Sequence, residues 1–276
     1  MQIHSIISNT ISEEILATGH LSIRFMADGF SLLLEDRNFL PVVLIRATGD
    51  SPMTRKSHLQ ACEDWLQRQT LLEGFLGEIT MVIDALPTTL VPEALFSEKD
   101  RLLYLEPVTR LHAGEQVEFT AISNRPFLLV YAVPVDYLLL AEKLAGSVRI
   151  KSSLEVLFSV ADQVNAADHQ RGFALVEAQP GYMGILMIRN DELMIANNQQ
   201  LGKQGELVYH TLNTIQQVEF DRVSRPVYHV GLSGDEELGM LRKYVRHLQP
   251  LPYHIGEIDK SAISEHIILA EATRCA

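Results

Sequence analysis

Cysteine is scarce in this chain of 276 residues, which holds only Cys62 and Cys275. They make no disulfide framework and stand at no metal-ligand spacing, so a small disulfide-stapled or zinc-built fold is excluded and a reducing compartment suits both thiols. Long apolar runs are lacking as well. The longest, Phe127 to Val135, is nine residues and contains Pro134, far short of the roughly 20 that span a bilayer. Met1 to Ile23 has no Lys or Arg and no continuous apolar block, so the marks of a secretory signal are missing and cytoplasmic residence is the expectation. Positive charge is also in deficit. With 23 basic against 35 acidic residues the formal net charge is -12, and no Lys/Arg run supplies the basic face that an extended phosphate backbone requires, which argues against nucleic acid as a partner. No P-loop, G-x-G-x-x-G or H-E-x-x-H occurs. The ten histidines are scattered singly, and the nearest pair worth naming, His247 and His254, reads as surface or satisfied histidine.

The length and the 47% hydrophobic content suffice for a sizeable core, as two domains or one large one. The strongest internal signal is a repeat. Leu21 to Arg46 and Phe173 to Asn198 each spell three short strands joined by tight turns, and each is followed by an amphipathic helix. In the first copy Leu21, Ile23 and Phe25 alternate with Ser22 and Arg24, Asp28-Gly29 makes a hairpin turn, and strands follow over Phe30 to Leu34 and Phe39 to Arg46. A helix from about Arg55 to Leu72 and a buried strand Ile79 to Ile83 come next. Pro92 to Leu105, with proline in its first turn, reads as a helix; Gln116 to Val133 returns to strands, interrupted at Arg125-Pro126. Pro134 opens a helix through Leu144, Val148 to Lys151 is a strand, and Ser153 to Asn165 is a helix headed by hydroxyls. The second copy has strands at Phe173 to Glu177, Tyr182 to Ile188 and Leu193 to Ala196. After them come a helix from about Gln204 to Phe220, the strand Val227 to Val230, a helix from Glu236 to Leu248, an extended piece near Tyr253 to Ile258 and a last helix around Ile263 to Ala272. The acidic runs at Glu13-Glu14 and Asp235 to Glu237 read as solvated helix starts. Two lobes are expected, residues 1–170 with a small inserted strand and helix region and residues 171–276, with a cleft between them.

This order of elements resembles the actin-like ATPase fold, also called the ribonuclease H-like fold: an α/β architecture of two lobes with duplicated mixed five-stranded sheets and flanking helices. Leu128-Leu129-Val130-Tyr131-Ala132-Val133-Pro134, a helix ending in Ala145-Gly146, and Val148-Arg149-Ile150 are similar to the strand, helix and turn of the actin-like proteins that assemble type IV pili. Leu21-Ser22-Ile23-Arg24 with Asp28-Gly29-Phe30-Ser31, and Leu232-Ser233-Gly234, resemble a bacterial family, chiefly from Bacteroidetes, with this fold and no assigned activity. Fold analogy alone says little about function.

The nucleotide site that the resemblance implies fares poorly residue by residue. Active relatives carry an Asp and a Gly on the first hairpin, where a carboxylate positions metal-bound water and bare amides approach phosphate. Here Arg24 and Met26 occupy those positions. In the second hairpin Glu177 and Gly181 remain, but Pro180 has no N–H to donate; Glu177 alternatively reads as a solvent-facing strand end. The third turn keeps Gly231, Ser233 and Gly234, yet Ser233 with Glu236 also spells a capping box, and Asp235 to Glu237 oppose a phosphate at that helix start. Gly-Leu-Ser-Gly-Asp is not a nucleophile elbow, since Asp235 stands where the last glycine belongs.

The expectation is therefore a non-catalytic actin-like scaffold or adaptor with degenerate phosphate turns, no catalytic residue, no metal site and no resident cofactor, whose partner is another protein. The alternative is a protein that binds or slowly hydrolyses ATP with Mg²⁺ in the cleft through Glu177, Gly181, Gly231, Ser233 and Gly234. Self-association is a third reading, resting on Ile263, Ile267 and Ala270 along one face of the last helix, a stripe that reads first as core.

Overall fold

A computed structural model describes residues 2–49, 54–68, 74–144, 147–167, 172–231, 235–251 and 265–275. The chain begins with strand β1 (Gln2–Ser8) and helix α1 (Glu13–Thr18), whose Ser12 side chain caps the Ile15 amide. The first repeat follows as β2 (His20–Met26), β3 (Gly29–Glu35) and β4 (Pro41–Thr48), then α2 (Arg55–Arg68) and β5 (Glu78–Ile83). An excursion of β6 (Thr88–Pro92), α3 (Arg101–Leu105), β7 (Glu115–Ala121) and β8 (Phe127–Pro134) precedes α4 (Val135–Lys143) and β9 (Val148–Ser152). Helix α5 (Ser153–Ala167) leads to the second repeat: β10 (Gly172–Gln179), β11 (Tyr182–Arg189), β12 (Glu192–Gln200), α6 (Glu206–Gln217), β13 (Val227–Val230), α7 (Asp235–Arg242) and β14 (Leu248–Pro250). Helix α8 (Ile267–Ala272) is the last described.

The duplication is explicit in the sheets. The first is ordered β1-β4-β3-β2-β5-β9 and the second β12-β11-β10-β13-β14. In both, the three hairpin strands are antiparallel and the first of them runs parallel to the next two strands of its lobe. β1 adds a sixth strand, antiparallel to β4. The excursion forms a separate antiparallel sheet, β6-β8-β7, around Val91, Leu105, Val117, Val130 and Ala132.

Alternation in β2 puts Leu21, Ile23 and Phe25 on one face, packed with Leu59, Cys62 and Leu66 of α2 in the main core. The other face, Ser22, Arg24 and Met26, is buried too. Two helices contribute to that cover: α5, packed on β9 to β12, and α8, which returns from the end of the chain to pack on α5, β2, β3 and β5. Leu269 and Ala270 of α8 meet Leu33 and Leu44, and Arg274 just beyond it reaches the buried Glu35 carboxylate at 2.7 Å. Ile267 and Ala270 are therefore core, and Ile263 lies outside the described residues. The main core runs without a break from the first sheet through Leu154, Leu157 and Phe158 of α5 to Phe173, Leu175 and Leu186 of the second. The far face of the second sheet has its own core beneath α6 and α7.

Two expected helices are corrected. Over Pro92 to Leu105 the α-helix is confined to Arg101–Leu105, with single 3₁₀ turns at Glu93–Leu95 and Glu98–Asp100 before it, and Pro92 ends the edge strand Thr88–Pro92 paired with β8, a place where proline's missing N–H does no harm. The helix expected to reach Leu248 stops at Arg242, since Leu248 is needed opposite Val227 to complete the fifth strand. The extended piece expected near Tyr253 to Ile258 lies outside the described residues, as does Gly146. Among the described residues no helix is long and apolar enough to cross a membrane.

Candidate functional site

The hairpins β2–β3 and β10–β11 meet tip to tip where the two sheets approach each other. Arg24 projects from β2 on the face opposite Ile23 and Phe25. Asp84 follows the last residue of β5, the strand that pairs in parallel with β2. Glu177 comes from the other lobe, in β10, at the position opposite Gly184. Strand register thus brings three charged side chains from three strand segments to one point.

Arg24 joins the other two. Its Nε donates to Asp84 Oδ1 at 2.9 Å, its Nη2 lies 2.8 Å from the same oxygen, and Nη2 also donates to Glu177 Oε1. The side chains of Arg24 and Asp84 are 3% exposed and that of Glu177 is 0% exposed. Glu177 is therefore no solvent-facing strand end. It is one half of a buried ion pair across the lobes. Beside it, Ser153 at the start of α5 donates to the hydroxyl of the buried Tyr182 at 2.9 Å.

Two carboxylates share one guanidinium here, and burial decides how they titrate. Burial works against the charged guanidinium of Arg24, but Asp84 and Glu177 outweigh it and push its pKa up. Burial raises Glu177 to about 7, with Arg24 opposing and Asp84 adding to the rise. Asp84 is raised by the same burial, again opposed by Arg24. Burial thus works to keep both carboxyl groups protonated, and the Arg24 guanidinium works to keep them charged.

The glycines expected to cradle phosphate are used for contact between protein segments. Gly181 turns the second hairpin with φ 75°, and a Cβ built there would lie 2.6 Å from the Ala27 Cβ at the tip of the first. Gly231, with φ 107°, comes so close to the second hairpin that a Cβ would stand 2.3 Å from the Ala178 carbonyl oxygen. Ser233 and Gly234 lie outside the described residues. Met26 is buried beside Gly29. Asp28, in the turn of the first hairpin, is bound by Arg46 Nη2 at 2.7 and 2.6 Å. A cavity of about 310 Å³ opens next to the junction, lined among others by Met26, Arg55, His58, Asp84, Tyr137 and Gly181. Burial lowers the His58 pKa there, with Asp28 opposing and Arg46 adding. Among the described residues no group of three or more His, Cys, Asp or Glu could hold a metal ion.

Sequence reasoning singled out Arg24, Glu177, Gly181 and Gly231, and the first three meet at the junction. It missed Asp84, Arg46, Ser153 and Tyr182. A signal for Asp84 existed: it is the charged residue that ends the apolar run Ile79 to Ile83. His247 is exposed on the turn before β14, and His254 lies outside the described residues.

Among solved structures the chain is similar to a Bacteroides thetaiotaomicron protein with actin-like ATPase fold and unknown function. The TM-score is 0.78 at 15% identity, over 97% of this chain and 100% of that one. It is also similar to a chain of a PilM-PilN type IV pilus biogenesis complex, with TM-score 0.62 and 13% identity over 92% and 98% of the two chains. No curated protein matches it in sequence. At these identities the likeness shows the fold, and the fold is the actin-like ATPase fold. The sequence pattern of a family described as "Protein of unknown function (DUF3822)" matches residues 8–248, most of the chain, and the protein belongs to that family.

Proposed function

We propose that this chain is a non-catalytic actin-like scaffold or adaptor, in which the lobes hold a surface for another protein and the phosphate site has become an internal joint. The observation that carries the reading is Arg24, bound to Asp84 of its own lobe and Glu177 of the other beneath hairpin tips in contact. A phosphate between those tips would have to part them and leave a carboxylate without its cation. The two carboxylates placed to organise metal-bound water are both engaged by the guanidinium. The reading keeps lobes at 1–170 and 171–276, with α8 packed back onto the first sheet, and a cytoplasmic setting, which suits two free thiols. A protein partner is in keeping with the similar chain solved in a PilM-PilN complex.

Titrating the purified protein with labelled ATP and Mg²⁺ tests this. The expected result is no saturable binding up to millimolar nucleotide and no phosphate release. Micromolar binding with turnover would overturn the reading in favour of an ATP-using cleft, and Glu177→Gln would then be expected to abolish that turnover.

A further inference from the structure

The end of the second sheet remote from the hairpin junction carries a concentration of positive charge that the overall composition conceals. Register places it. Ala174 pairs with Val227 and Val227 with Leu248 in parallel, so the turns that hold Arg225 and Arg246, just before β13 and β14, lead into the sheet at the end where Gly172 opens β10. Arg189 pairs with Gly172 from β11. The Arg225 guanidinium passes so close under Gly172 that a Cβ there would lie 2.9 Å from Nη1. Arg222 precedes Arg225 in the turn before β13, and Arg242 and Lys243 join them from the end of α7. Six cations, about a quarter of the chain's 23 Lys and Arg residues, thus gather at the foot of one sheet in a molecule of formal charge -12.

The carboxylates nearby do not cancel them evenly. Asp191 and Glu192 sit in the β11–β12 turn, at the Arg189 end. Asp221 accepts from the Val223 and Ser224 amides at 3.0 and 3.1 Å and also faces the charge of Arg225, and Glu219 lies beside it in sequence. Arg242, Lys243 and Arg246 are exposed and enter no ion pair among the described residues. Tyr244 between them is 54% exposed and Val223 is 55% exposed. Arginine beside an exposed aromatic is the composition of a protein-binding hot spot.

We propose that this basic foot, centred on Arg242, Lys243, Tyr244 and Arg246, docks a short acidic segment of a partner protein that also carries apolar side chains. Charge selects that class of partner. An anionic membrane or a nucleic acid is extended and meets the field of the whole acidic molecule, which repels it. A short peptide seated on Tyr244 feels chiefly the charges within about 8–10 Å, and the sequence neighbours of Tyr244 there are Arg242, Lys243 and Arg246. Tyr244 supplies the apolar contact that a purely ionic patch lacks. The surface lies away from the hairpin junction and would work whether or not nucleotide binds there.

The test is fluorescence anisotropy of the full chain with a labelled twelve-residue peptide of alternating Glu and Phe. A Glu/Ser peptide, phosphatidylserine vesicles and a single-stranded DNA oligonucleotide run in parallel. The Glu/Phe peptide is expected to bind, to weaken at high salt, to lose about tenfold or more in affinity when Arg242→Glu, Lys243→Glu and Arg246→Glu are combined, and to lose severalfold with Tyr244→Ala. These side chains are exposed, so unchanged thermal unfolding would show that the variants fold. Absence of peptide binding, binding indifferent to the charge reversals, or vesicles or oligonucleotide binding as tightly through the same residues would overturn the proposal.

Discussion

The two hairpins at the junction share a topology and differ in charge. In β2–β3 the inward position is Arg24, and in β10–β11 it is Glu177, each on the strand that heads its parallel set. Two copies carrying carboxylates there would repel one another and leave room, and a need, for a cation or a phosphate-bound metal between them. One copy with a cation and one with an anion attract, and the hairpin tips close until Gly181 meets Ala27. The two halves of the duplicated fold are thus complementary in charge at the point where they meet.

That comparison breaks most visibly if the cation is removed. Arg24→Met leaves Asp84 and Glu177 buried without a cation and is expected to cost about 3–5 kcal/mol in urea unfolding. Replacing all three together, with Arg24→Met, Asp84→Leu and Glu177→Met, should cost much less than Arg24→Met alone, because no buried charge is then stranded. A smaller loss, about 1–3 kcal/mol, is expected for Gly181→Val, which collides with Ala27 and places a branched residue at φ 75°. Ala27→Gly should recover the collision part of that loss and leave the backbone part.

The pH dependence of Glu177 sharpens the comparison further. Its pKa is raised from an ordinary 4.5 to about 7 in the folded protein, so between those values the folded state holds a proton that the unfolded chain releases. The stabilisation is complete below about 4.5 and is lost as pH rises through about 7. Unfolding temperatures of the wild type and of Glu177→Gln, followed from pH 5 to pH 8, should therefore shift in the variant's favour as pH rises. Glu35, raised to about 7, and His266, lowered to about 3 and so acting in the opposite sense, are common to both proteins and drop out of the difference. The smallest effect is expected at an exposed pair. Lys143 and Glu63 stand 2.7 Å apart with Lys143 58% exposed, and Lys143→Ala should change stability by less than about 1 kcal/mol.

Much of the fold was legible because its signals are local. The alternation of Leu21, Ile23 and Phe25, the Asp28-Gly29 and Pro180-Gly181 turns, and the return of the same order after Gly172 each rest on a few neighbouring residues. The junction was half legible. Arg24 and Pro180 marked both hairpins as departures from the phosphate-binding pattern, but nothing local to Arg24 names Asp84 or Glu177, which lie 60 and 153 residues away. Nor does β2 reveal that its polar face is buried, since Ser22 and Arg24 alternate like solvent-facing residues and part of their cover is a helix nearly 250 residues on. The start of the helix expected over Pro92 to Leu105 was misread because a proline that opens a helix also suits an edge strand, and pairing of Pro92 with Phe127 decides between them.

A double-mutant cycle on Arg24→Met and Glu177→Met, read by urea unfolding, tests most directly whether one lobe's cation has taken the place of a ligand against the other. A coupling free energy in the upper part of the ~0.5–3 kcal/mol range found for residues in contact is the predicted result. Additive effects of the two substitutions, with coupling near zero, would mean that the two hairpins do not hold each other and would contradict the account.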